Sequence, residues 1–391
     1  MLGRQCQHRR CERRPASCDP RVRCYRPSVH LVHDAVLHSI VEGEDDFDTL
    51  ALTVFAHQFE SVAMFRRYCE RRHCTPTSVR TWRDIPPVPV SAFKETDLCC
   101  APPERVFRTT GTTRGSARRG RHALPDLRLY RASALAGLRR FLFPDVEQMP
   151  IISAIPSAAD APDSSLSQMV AWTMEEVGDS TSRYVADSRG IDYERCVAAL
   201  RTSERSGAPI CLMATSAALL HLLDYCAAHE LTFRLPHGTR LMDTGGPKGA
   251  PRPLSRNGLL HACWNTFAIP GYFFVNEYGM AELSSQFYEN VIANRVDGRF
   301  AHRCLIGPPW TRVRVLDPAT LDDARQGEPG LLCFYDLANA GTVSAVLSED
   351  IGRLVHYGFE ILGRASGAET RGCSLTAAEW AEAKSSDAVS G

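Results

Sequence analysis

Charge of one sign is the plainest thing this chain lacks: its 391 residues carry 45 Lys plus Arg against 45 Asp plus Glu, a formal net charge of zero. A balanced chain has no global field to draw in nucleic acid or an anionic membrane, so any cationic site must be local. Long apolar runs are missing too. A bilayer crossing needs roughly 18 apolar residues in a row, and the longest candidate, Met213–Leu223, is interrupted by Thr215, Ser216 and His221. No membrane span is expected. Residues 1–28 are rich in arginine, without the apolar stretch of a secretory signal, and read as a basic, unstructured extension. Close cysteine pairs are scarce: of fifteen cysteines only Cys99 and Cys100 adjoin, and Cys6, Cys11, Cys18 and Cys24 form no C-x-x-C knuckle. This speaks against a zinc knuckle and a disulfide framework, and for reduced thiols in a cytoplasmic protein.

What is present is a large apolar fraction, 44%, enough to bury the core of one large or two unequal domains. The stretches LVHDAVLHSIVEG and DFDTLALTVFAHQFESVAMFRRYCERR repeat apolar residues at three- and four-residue intervals, the helical period. Prolines in WRDIPPVPVSAFKETDL (Trp82–Leu98) impose an extended path. LPDLRLYRASALAGLRRFLFP then predicts a helix stopped by Pro144. Further on, the strand-like MPIISAIPSA, APICLMATS and TRLMDTGG alternate with helical patterns over 192–201 and in AALLHLLDYCAAHE. Such alternation predicts α/β layers with a largely parallel sheet, whose ligands gather at the carboxyl ends of strands.

Two loops fall at such ends. RTTGTTRGSARRG, Arg108–Gly120, combines glycines that let backbone N–H groups converge on an anion with the hydroxyls of Thr109, Thr110, Thr112 and Thr113 and with arginines such as Arg114. Within it GSARRGRH approaches a Walker pattern, but Arg121 stands where the lysine belongs and His122 where the metal-binding hydroxyl belongs. Taken alone, the segment reads equally as a basic surface loop. LMDTGGPKG supplies the second loop, whose Gly245 and Gly246 can lay bare backbone against a flat ring. FFVNEYGMAELSSQFYEN follows with Tyr278, Gly279 and Glu282. A carboxylate there suits a Mg²⁺ ion bridging phosphates; the ordinary alternative is an acid at a helix N-terminus. Asp350, in LSEDIGRL, suits two ribose hydroxyls.

In this order the segments resemble the adenylate-forming superfamily of acyl-CoA synthetases, peptide-synthetase adenylation domains and luciferases of the firefly type. The resemblance implies a phosphate loop at Thr109–Gly115, with Thr109, Thr110, Gly111, Thr112, Thr113 and Arg114 binding ATP. It places Gly245 and Gly246 along the adenine, matches YGMAE to the family's Tyr-Gly-x-Thr-Glu with Glu282 on Mg²⁺, and puts Asp350 on the ribose. It also makes GRASGAETRG, Gly363–Gly372, the hinge, with Arg364 among the catalytic residues. The fold it implies is α/β: a large adenylate-forming domain of layered sheets and flanking helices over 29–362, then a truncated C-terminal segment with a polar tail over 363–391.

A narrower resemblance, carried by FAHQFESVAMFRRYCE, WRDIPPVPVSAFK, LMDTGGPKG, EYGMAELSSQFY and RGCSL, is to the acyl-protein synthetases, the fatty-acid ligase component of bacterial bioluminescence and its relatives. It implies that a carboxylic acid, foremost a fatty acid, is activated as acyl-AMP, passed to Cys373 and handed to a partner reductase. Arg371 nearby favours a thiolate; a buried, inert thiol is the ordinary alternative.

The pattern departs from the superfamily in three places. The phosphate loop holds arginines where many members have a lysine, Ala281 replaces the threonine before the motif glutamate, and only 27 residues follow Arg364 where a lobe of about 100 residues is usual. Lys384 falls in a polar tail expected to be unstructured. Two other readings stay open: a ligase that acylates CoA or a carrier protein, and a degenerate nucleotide-binding subunit of a reductase. The acyl chain is not readable, since Phe267, Tyr272 and Phe273 suit an acyl pocket or ordinary core.

Overall fold

The computed structural model describes residues 29–43, 46–109, 119–245, 254–365 and 371–385, with the side chains of all of these except 29–30, 371–375 and 385. Helices start where a short polar side chain can accept an otherwise unpaired backbone N–H. Asp126, Ser164, Asp192, Thr215 and Ser255 do so for Leu127–Phe141, Ser165–Glu176, Tyr193–Ser206, Ser216–Ala228 and Arg256–Phe267. The first of these ends three residues before Pro144. The N-terminal apolar repeat forms two helices rather than one, Phe47–Ser61 and Ala63–Arg71, because Val62 between them is extended. The proline segment is not extended throughout: short 3-10 turns at Trp82–Asp84 and Val90–Lys94 flank the two-residue strand Val88–Pro89. The Asp84 carboxylate stabilises the first turn by accepting the N–H groups of Arg80 and Thr81.

One 12-stranded sheet spans the molecule, and its two halves differ in direction. Arg183–Tyr184, Ile151–Ser153, Cys211–Thr215, Arg240–Thr244 and Phe274–Tyr278 run parallel, as the alternating pattern predicts. From there Phe287–Glu289, Leu305–Ile306, Gly358–Arg364, Ala345–Val355, Gly330–Asp336 and Thr311–Leu316 pair antiparallel, and the twelfth strand, Val88–Pro89, joins Ala345–Val355 in parallel off this path. The expected parallel sheet is therefore only half of the observed one. Parallel neighbours need helical crossovers, whereas this stretch has turns and only the short helix Val291–Val296 among its described connections.

Each half has its own core. Leu138, Ile152, Leu212, Met242 and Phe274 belong to the parallel side. Val36, Phe55, Phe65, Trp82, Phe334 and Val346 join the N-terminal helices to the antiparallel strands. The C-terminal segment adds to the second core: Arg371–Ser385 is a helix, and its Trp380, 1% exposed, lies 5.2 Å from the Tyr68 ring. Lys384 thus sits in a docked helix, not in an unstructured tail; its ammonium donates to the Glu95 carbonyl at 3.2 Å. No described helix is long and apolar enough to cross a membrane.

Candidate active site

The sheet changes direction at Tyr278. Parallel pairing sets Glu277 against Thr244, so Tyr278 and Gly245 leave the sheet side by side, Gly245 at φ +76. The Tyr278 ring packs on Phe287, Phe334 and Phe359, and its hydroxyl donates to Asp350 Oδ2 at 2.8 Å. Asp350 and Arg364 are register partners on the adjacent antiparallel strands Ala345–Val355 and Gly358–Arg364. Arg364 Nε is 3.7 Å from Asp350 Oδ1, and its Nη2 is 3.3 Å from Glu349. Residues that the sequence spreads over 87 positions thus share one sheet end. A Cβ at Gly279 would lie 2.6 Å from Glu277 Oε1, so a larger residue there would have to displace that carboxylate.

The loop 279–286 that reverses the sheet carries Glu282. Asp336 supports it from beneath, accepting the N–H groups of Ser284 and Ser285 at 2.9 and 2.8 Å and the Ser285 hydroxyl at 2.6 Å; burial pushes Asp336 up to about 6. Asn339 Nδ2 donates to the Glu282 carbonyl at 2.9 Å. The Glu282 side chain is 5% exposed, and burial raises its carboxyl to about 7 against the opposing charges of Lys94 and Arg364. Facing it is the base of the threonine-rich loop. Thr109 N–H donates to the Gly120 carbonyl at 3.0 Å, and Gly120 N–H donates to Thr109 Oγ1 at 2.8 Å, which pins the two ends together. A Cβ on Gly120 would come within 3.3 Å of Glu282 Oε1. A buried carboxylate at the mouth of such a loop fits a divalent cation. Among the described residues no group of three or more His, Cys, Asp or Glu could hold a metal, so a Mg²⁺ ion here would rest on Glu282 and phosphate oxygens.

Of the other residues singled out in the sequence, Thr110, Gly111, Thr112, Thr113, Arg114 and Gly246 lie outside the described residues, as does the side chain of Cys373. The backbone of Cys373 is the third residue of the helix Arg371–Ser385. His122, the odd residue of the near-Walker pattern, is buried at the loop's base. Its Nε2 is 3.2 Å from Thr342 Oγ1, and desolvation lowers its pKa to about 4 even though the ring also hydrogen-bonds the Ala281 backbone. It is a neutral brace between loop and Ala281. Phe267 and Phe273 are core, and Tyr272 is surface.

Sequence reasoning missed Glu277. It points to the face of the sheet opposite Tyr278, 3% exposed, where it accepts the Thr244 hydroxyl, and burial raises it to about 7 from 4.5. The folded chain therefore holds this proton more tightly than the unfolded chain, so stability falls as pH rises from 4.5 to 7. Glu282 and Asp336 act in the same direction. Glu277→Gln keeps an acceptor for Thr244 and removes one share of the slope. Its loss of unfolding free energy between pH 5 and 8, by urea titration, is expected to be smaller than the unaltered protein's by about 2.5 kcal/mol. Coincident slopes would rule this out.

The acyl-protein synthetase family LuxE matches residues 30–381. Two relatives, each a long-chain-fatty-acid–luciferin-component ligase, are 23% identical to the chain. That of Aliivibrio fischeri aligns over 354 residues, 87% of this chain and 90% of its own, and that of Vibrio harveyi over 319 residues, 80% of each. Crystal structures of 2-hydroxyisobutyryl-CoA ligase are similar in fold. The open conformation with 2-HIB-AMP and CoA gives a TM-score of 0.59 at 16% identity, over 81% of this chain and 69% of that one. The postadenylation state with 2-HIB-AMP gives 0.60 at 15%, over 81% and 67%.

Proposed function

Because the chain belongs to the LuxE acyl-protein synthetase family and has the fold of adenylate-forming ligases, we propose that it activates a fatty acid with ATP and passes the acyl group to its own Cys373 for a partner reductase. The observation that carries this reading is the convergence of the Tyr278–Asp350–Arg364 line with Glu282 and the pinned ends of the threonine-rich loop. The relatives' names supply the long-chain fatty acid.

A carboxylate is a poor electrophile, so the first step trades it for a mixed anhydride. A carboxylate oxygen attacks the α-phosphorus of ATP, the bond to the oxygen bridging the β-phosphorus breaks, and pyrophosphate leaves. The protein's work is positioning and charge neutralisation. Asp350 accepts from ribose hydroxyls, its rotamer held by Tyr278 and Arg364, and Gly245 leaves room for the adenine. A Mg²⁺ ion held through Glu282 would neutralise phosphate charge. In the second step the Cys373 thiolate attacks the acyl carbonyl carbon and AMP leaves, giving a thioester. A place in the first turn of a 15-residue helix favours the thiolate.

ATP–pyrophosphate exchange across a panel of fatty and aryl acids tests the first step. Labelled fatty acid tests the second: Cys373→Ser is expected to keep exchange and to lose hydroxylamine-sensitive label on the protein. Label that persists in Cys373→Ser, or that appears on added CoA with the unaltered protein, would instead establish a different acceptor.

A further inference from the structure

Three neighbouring strands end together beside Tyr278. The ladder of Arg240–Thr244 closes at Thr244 on both sides, against Thr215 and against Glu277. The residues that follow, Ser216, Gly245 and Tyr278, therefore leave the sheet in a row, and Ser216 begins the helix Ser216–Ala228. Beyond the last ladder pair the Gly245 carbonyl needs a donor from elsewhere. Ser216 supplies it: its Oγ lies 2.8 Å from the Gly245 carbonyl oxygen and 2.6 Å from Asp243 Oδ2. A hydroxyl has one proton, so these two acceptors share it.

A buried network holds Ser216 in turn. Strand alternation puts Asn276 on the face of Tyr278, and Asp243, its register partner, with it. Asp243 Oδ1 accepts from Arg256 Nη1 at 2.8 Å and from Asn276 Nδ2 at 3.0 Å. Arg256 and Arg303 both pair with Glu289, which also accepts the Asn276 N–H at 2.8 Å. Ser216, Asp243 and Glu289 are buried, and every oxygen of the two carboxylates accepts a hydrogen bond. A polar network satisfied in this way is rigid. Buried ion pairs are seldom more stabilising than apolar packing of the same volume, so stability alone does not account for one set a residue pair back from the row. A Cβ on Gly245 would meet no described atom within 4 Å, so the space beside that peptide is open.

We propose that Ser216 is a positioning residue for the nucleotide: its hydroxyl, oriented by Asp243 and Arg256, fixes the Gly245 peptide against which the adenine lies. The inference rests on the ATP reading above. Ser216 acts on the base and not on the phosphates, since Glu282 and the pinned ends Thr109 and Gly120 are held by bonds of their own.

ATP–pyrophosphate exchange by the full chain, with Mg²⁺ and the fatty acid that best supports it, tests this in the unaltered protein, Ser216→Ala and Ser216→Thr. Ser216→Ala is expected to raise the KM for ATP roughly 10-fold, the loss of one buried hydrogen bond. The KM for pyrophosphate and the rate at saturating ATP are expected to stay as they are, because ground state and transition state lose the same contact. Ser216→Thr keeps the hydroxyl and is expected to recover most of the affinity. An unchanged KM for ATP in Ser216→Ala would overturn the inference, as would a Ser216→Thr chain no better than Ser216→Ala. Equal rises for ATP and pyrophosphate, or a fall in rate at saturation, would also overturn it, since they mark a general disturbance of the fold. Absence of exchange by the unaltered protein with every acid would overturn the adenylation reading itself, and this inference with it.

Discussion

Glu282→Ala is expected to lower ATP–pyrophosphate exchange by about 10²- to 10³-fold, the range seen when one positioned electrostatic group is removed from a transition state. The fold is expected to survive, because this carboxylate is a burden to it. Glu282 is 5% exposed, and burial raises its carboxyl to about 7, so its ionised form is disfavoured by the protein's interior. The loop around it is held by others: Asp336 grips Ser284 and Ser285, and Asn339 binds the Glu282 carbonyl rather than the side chain. Glu282→Gln, which keeps the side chain's volume, separates charge from packing and is expected to lose as much exchange as Glu282→Ala. Full exchange in both variants would remove Glu282 from the site. Absence of exchange with every acid in the unaltered protein, despite ATP binding, would favour the degenerate subunit weighed from the sequence.

Much of the site was legible because its residues stand where apolar strands end in glycine or a turn. RLMDTGG and FFVNEYG announce two parallel strand ends, and the structure places Gly245 and Tyr278 side by side there. The pairing of Tyr278 with Asp350, 72 residues apart, was not legible, because it depends on the antiparallel half. Gly330–Asp336 is buried along its whole length, so it lacks the alternation that marks a half-exposed strand, and the sequence pattern carries no sign of its direction. Glu277 escaped notice because strand alternation turns it away from its neighbour Tyr278. The proline segment, expected to be extended, turns at Val90–Lys94; the contact that holds this turn, Phe93 on His122, joins residues 29 apart. The C-terminal helix did leave a trace. Thr376, Trp380 and Ala383, at helical spacing, are each 1% exposed, a narrow stripe outweighed by the polar residues around it.

That stripe sets up a test of how the thiol reaches the acyl-adenylate. Trp380 is the largest buried side chain of the helix that carries Cys373; the small Thr376 and Ala383 are buried beside it, and the helix's ion pairs, Arg71 with Glu382 at 2.6 Å, Arg72 with Glu379 and Lys384 with Glu95, lie at the surface. Exposed pairs add little, so the indole dominates. Replacing a buried tryptophan by alanine costs about 3–5 kcal/mol, and here the cost falls on a terminal helix that can open by itself. Trp380→Ala is therefore expected to speed amide exchange over 376–385 by at least about 100-fold, the equivalent of 3 kcal/mol, while strands of the central sheet keep their protection. Trp380→Phe is expected to stay docked, since it keeps a ring on Tyr68 and removes an indole N–H that finds no acceptor among the described residues. Pyrophosphate exchange should persist in both variants, because none of its residues lies on this helix. If the docked helix is the accepting state, labelling of Cys373 fails in Trp380→Ala and survives in Trp380→Phe. Normal labelling in an undocked Trp380→Ala would mean that the thiol collects its acyl group after the helix leaves Tyr68, making the docked arrangement the resting state of the transfer.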